Sequence, residues 1–93
     1  MNAKEFISEL KVSKEKGSYS KEFIILLREL IIEDYKSMFP FNKDKSVPED
    51  AIKKAFQDID KLWPTMDFSI ILNPIEYFKT IIKSAINDYK RSL

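Results

Sequence analysis

Apolar residues return along this chain at intervals of three and four, and four stretches carry that rhythm. The first predicts a weakly amphipathic helix over residues 3–16, with Phe6, Ile7 and Leu10 on one side and Gly17 as its stop. Ser20 suits the N-cap of a second helix, with Glu22 in its first turn. This helix is expected over residues 21–38. Phe23, Leu26, Leu27, Leu30, Ile31 and Met38 recur at helical spacing with Tyr35 beside them, and Ile24, Ile25 and Ile32 widen the stripe. An apolar arc of that width predicts a central helix that touches more than one neighbour. Pro40 disfavours helix at Phe39 and opens a loop that runs through residue 45.

Ser46-Val47-Pro48-Glu49 has the spacing of a capping box, with a hydroxyl acceptor, a Pro in the first turn and Glu three residues on. It predicts a third helix over residues 47–62. Ile52, Ala55, Phe56, Ile59, Leu62 and Trp63 trace its apolar stripe, while Asp50, Lys53, Lys54, Asp58 and Lys61 occupy the other side. Trp63-Pro64 closes it, and Trp63 is read as core. Residues 65–72 lack the two-residue alternation of a strand, so they are expected to form a packed loop around the apolar patch Phe68, Ile70, Ile71 and Leu72. Asn73-Pro74-Ile75-Glu76 repeats the start signal for a fourth helix, which runs to about residue 91. Ile75, Phe78, Ile82, Ala85, Ile86 and Tyr89 form its apolar face, with Ile81 alongside. The expected fold is all-α: one domain over residues 1–93, a compact bundle of three long helices plus a short N-terminal helix.

Composition then narrows the chemistry. The 93 residues allow one modest core. With no Cys there is neither a disulfide scaffold nor a thiolate zinc site. With no His, the commonest general base and metal ligand is missing, and a Ser–His–Asp or Cys–His catalyst cannot be built. A single Gly leaves no phosphate-cradling glycine loop. The expectation is a non-catalytic protein that needs no cofactor and no metal. Glu33 with Asp34, and Asp58 with Asp60, are close in sequence. Neighbouring helical positions point about 100° apart, so both sets are read as solvated helix faces. The net charge of +1, from 16 basic and 15 acidic residues, sets up no global field for nucleic acid or membrane. No apolar run approaches the ~18 residues of a membrane span, and the first ten residues, with Glu5 and Glu9, lack a signal-peptide stretch. A cytoplasmic protein with no membrane partner is expected.

One charged pattern stands out locally. Lys79, Lys83, Asn87 and Lys90 follow i, i+4, i+8, i+11 on the last helix, with Arg91 adjacent. Such a ridge can track phosphates or reach base edges, although lysine is also the ordinary residue of an exposed helix face. Phe39, Phe41, Trp63, Phe68, Tyr77 and Phe78 lie in or beside loops, where aromatics either stack on unpaired bases or seal the ends of a small bundle. Tyr77 lies off the apolar stripe and is the better candidate for exposure.

From Lys21 onward, the order of features resembles region 2 of a bacterial sigma factor of the extracytoplasmic-function group. The residues that carry the likeness are Glu22-Phe23-Ile24-Ile25-Leu26-Leu27, then Asp50 to Phe56 in place of Asp-x-x-Gln-x-x-Phe. The last helix adds Asn73, Pro74, Tyr77, Phe78, Ile81, Asp88 and Arg91 at family-like spacing. The resemblance implies that the third helix docks on RNA polymerase through Asp50, Lys53 and Lys54, with Phe56 structural. It implies that residues 65–72 and the last helix meet single-stranded promoter DNA through Tyr77, Lys79, Lys83, Asn87 and Lys90. Two positions depart from the family pattern. Lys53 replaces the usual Gln, a donor and acceptor, with a charged donor. Ala85 stands where the family has Asn, and Asn87 lies two residues on. No helix-turn-helix for a second promoter element follows Leu93, so a stand-alone region 2 module is expected. The alternative is a protein–protein module of another kind, such as a toxin immunity protein or a phage-encoded inhibitor.

Overall fold

The structure is a computed structural model that describes residues 2–40, 46–67 and 70–92. It contains four α-helices and, among the described residues, no strand. Helix α1 spans Ala3–Lys16 and α2 spans Lys21–Met38. After α3, Glu49–Leu62, a single 3₁₀ turn covers Trp63–Thr65, and α4 spans Pro74–Arg91.

Local chemistry accounts for most helix ends. Asn2 Oδ1 accepts from the N–H groups of Lys4 and Glu5, at 3.0 and 3.3 Å, and so satisfies two of the unpaired donors that open α1. Gly17 ends α1 with φ 76°, a left-handed backbone that glycine adopts without a Cβ penalty. Ser20 Oγ accepts from Phe23 N–H at 3.1 Å to cap α2. The α1–α2 corner is tied further by the buried Ser13, whose Oγ accepts from Ser20 N–H at 2.9 Å. Asn73 Oδ1 accepts from Glu76 N–H at 3.3 Å, and Pro74 occupies the first turn of α4.

The third helix departs from its expected start. It begins at Glu49, with Pro48 as the N-cap residue and no side-chain cap bond. A residue before proline is pushed out of the helical region, so Val47 cannot belong to the helix and Ser46 lies too early to cap it. α1 and α3 each have 14 residues, so the N-terminal helix is not the short member of the bundle.

α2 packs against all three other helices, and α3 and α4 form the closest pair. Phe23 meets Phe78 with ring centroids 6.0 Å apart near the starts of α2 and α4. At the other end, Lys90 lies over Phe39 at 4.1 Å, so α2 and α4 run side by side in one direction. Phe6, Phe23 and Phe78 are fully buried and in mutual contact, the densest part of a core completed by Leu10, Leu27, Leu30, Ile31, Ile59, Ile82 and Ile86. Each such side chain contributes about 1.5–3 kcal/mol over its exposed state.

Burial corrects the expected stripes in four places, one of them Leu62 at the end of α3, which is exposed rather than packed in the stripe. Ile24 and Ile25 are exposed, so the apolar arc of α2 is narrower than its sequence suggests. Ile70 and Leu72 are largely or fully exposed, so the connection into α4 is not packed through them, and among its described residues Met66 is the buried one. Asp34 is buried at 4% exposure, on the core face of α2 rather than on a solvated one. Phe41 and Phe68 lie outside the described residues.

Candidate functional site

The two sets of expected site residues fall on α3 and α4, the helices that pack most closely. On α3, Asp50 and Lys53 are exposed. Lys54 is half-buried and gives its Nζ to Asp58 Oδ1 at 2.7 Å, one turn on. That hydrogen bond holds the Lys54 ammonium above its ordinary pKa, and Asp88 of α4 adds to it. Asp50, Lys53 and Lys54 fan over about 100° of the helix circumference. Phe56 is partly buried against the core.

On α4, Lys83, Asn87 and Lys90 are exposed and Lys79 is half-buried. The three lysines fall within about 40° of one another around the helix, and Asn87 widens the arc to about 80°. Tyr77 does not join them. It sits about 120–160° around the helix from the lysines, is half-buried, and meets Phe78 edge-on at 6.3 Å. The ridge is partly neutralised from within. Lys79 Nζ is 4.0 Å from Glu76 Oε1 on the preceding turn. Lys90 covers the Phe39 ring, itself packed on Tyr35 at 4.8 Å, a cation–π contact that draws the ridge towards the end of α2.

On the core face of α2 lies the group that the sequence reading missed. Asp34 Oδ2 is buried and has no hydrogen-bond partner among the described residues. Burial pushes its carboxyl above the ordinary value; Lys79 and Lys83 pull it back down, and Glu33 and Glu76 push it up. The signal was present: Phe23, Leu27, Leu30 and Asp34 are separated by four, three and four residues, a single line on one helix face.

A second polar cluster joins α1, α2 and α3. Tyr19 donates its hydroxyl to Asp60, and its ring meets Trp63 edge-on at 4.7 Å. Burial first, then the bond and charge of Asp60, hold the phenol well above its usual range. Lys14 Nζ donates to the Trp63 carbonyl at 2.7 Å and lies 4.7 Å from the ring. Trp63 is thus half-buried and packed rather than free to stack on a base. Arg28 of α2 and Glu49 of α3 make a two-bond exposed pair, at 2.5 and 3.2 Å.

Among the described residues, no group of three or more acidic side chains is arranged to hold a metal ion. No helix of the described residues is long and apolar enough to cross a membrane. Comparison of the chain with protein-family models, curated proteins and solved structures finds no match.

Proposed function

We propose that this chain is a non-catalytic helical binding protein of the sigma region 2 type, which engages RNA polymerase through α3 and promoter DNA through α4 in the cytoplasm. The observation that supports this reading most is the exposed lysine ridge of α4, Lys83 and Lys90 with half-buried Lys79. The three lie on one arc beside the helix that exposes Asp50 and Lys53. The chain's near-zero net charge makes this a local surface rather than a general affinity for polyanions. Tyr77 contributes to positioning α4 rather than to a stacking platform. The test is capture of purified core polymerase by the tagged protein. Wild-type protein should retain polymerase, and Asp50→Arg should lose most of it. Failure of wild-type capture, or capture indifferent to Asp50→Arg, ends the polymerase reading. DNA binding is scored separately: affinity for a single strand should fall steeply with salt and drop several-fold in Lys83→Glu.

A second reading, a protein–protein module such as an immunity protein, draws on Ile24 and Ile25. These are 42% and 57% exposed on the outer side of α2, where neither proposed contact lies. A toxin gene beside this one would favour it.

A further inference from the structure

The outer face of α2 carries a charge pattern that neither functional reading uses. Phe23, Leu27, Leu30 and Asp34 mark the side of α2 that faces the core. At about 100° per residue, Ile25 lies almost directly opposite them. It is 57% exposed. The partly buried Ile32 falls within about 20° of it, two turns on. The charges that flank this apolar line are sorted by sign. Lys21 and Arg28 fall about 40–60° to one side, and Glu22 and Glu29 about 40–60° to the other. All four are exposed. None of them meets an opposite charge three or four residues away on α2, so the sorting does not serve pairing within the helix.

Sorted edges restrict how two such faces can meet. In an antiparallel pair, the two-fold axis crosses the helices, and each edge faces its own copy, basic on basic and acidic on acidic. In a parallel pair, the axis runs along the helices, and each basic edge faces the acidic edge of the second copy. The heights also match. Lys21 and Glu22 are one residue apart, as are Arg28 and Glu29, which is about 1.5 Å along the axis. Arg28 already holds Glu49 of α3, but a guanidinium has five N–H donors and accepts a second carboxylate.

We propose that the outer face of α2 is a self-association surface, through which two copies of this chain form a parallel, two-fold-symmetric pair centred on Ile25. Its occupant is chosen by this charge complementarity. One helix from each protomer makes an interface at the low end of the size range for specific contacts, so the pair is reversible. Lys36 lies on the same face, within about 20° of Ile25. A crossing angle of about 20° separates the helices towards that end and keeps the two Lys36 ammonium groups apart. The proposal depends on neither the polymerase nor the nucleic-acid reading.

Sedimentation velocity tests it. The average mass should rise from one chain towards two as concentration goes from about 10 µM to about 1 mM. A wild-type protein that stays monomeric throughout overturns the proposal. Ile25→Asp alters no buried side chain and should weaken association about tenfold or more. Association indifferent to it places the contact elsewhere and has the same force. Lys21→Glu sets acid against acid at both edges and should weaken association several-fold; adding Glu22→Lys should restore it. Any other pattern defeats the parallel register. The chain has no Cys, so a nitroxide on Lys36→Cys reports orientation by itself. The labels should lie about 20 Å apart in the parallel pair, whereas a separation of about 35 Å identifies an antiparallel one and overturns the charge argument.

Discussion

The two ends of the α2–α4 pair solve the same packing problem in opposite ways. At the starts of these helices, Phe6, Phe23 and Phe78 are fully buried, and Tyr19 and Trp63 close over them with their polar atoms engaged. Towards the other end, the equivalent line of α2 carries Asp34, buried and with an unpartnered oxygen. The aromatic end gains stability from apolar area. The charged end gives some of it up. The comparison teaches that one line along α2 can close over aromatic rings at one end and carry a buried, under-satisfied carboxylate at the other.

The largest effect expected from breaking this contrast is at the aromatic end. Phe23→Ala removes a ring in contact with Phe6, Tyr19, Trp63 and Phe78 and should cost about 3–5 kcal/mol in urea unfolding. For a domain this small, that is a large share of its total stability.

The charged end should respond with the opposite sign. Asp34→Leu replaces a buried, under-satisfied carboxylate with an apolar side chain of suitable size and should stabilise the protein by about 1–3 kcal/mol at pH 7. The effect depends on pH. Burial holds the native carboxyl above its ordinary value of 3.8, so the folded state keeps the proton more readily than the unfolded state. Wild-type stability therefore falls as pH rises from near 3.8 through the raised native value. The advantage of Asp34→Leu should be full above the raised native value and should shrink as pH falls through that value towards 3.8. A variant less stable than wild type at pH 7 would break the comparison.

The smallest effect sharpens the view of the aromatic end as satisfied. Tyr19→Phe keeps the ring on Trp63 and Phe23 but deletes the bond to Asp60. A loss of about 1 kcal/mol is expected. Thermal unfolding of the variant in parallel with wild type would reveal it.

Much of the fold was legible before any coordinates. Gly17, Ser20 and Asn73 marked helix ends because capping is a bond between a side chain and a backbone group a few residues away. Ser46 misled for an equally local reason: the proline between it and Glu49 forces extended backbone, and the helix starts two residues late. The candidate site was only half legible. Spacing was enough to align Lys79, Lys83 and Lys90. It could not show that Lys79 is half-buried against Glu76, that Lys90 covers Phe39, or that Tyr77 turns away.

The sequence by itself determined the all-α class, the helix limits to within a turn, and the absence of His and Cys chemistry, because periodicity, capping and composition are properties of short stretches. Only the tertiary structure decided that Ile25 and Leu72 stay in water while Asp34 does not. Burial depends on which face a neighbouring helix covers. That choice is made by the packing of α2 against α1, α3 and α4 together, and no single stretch of the chain contains it.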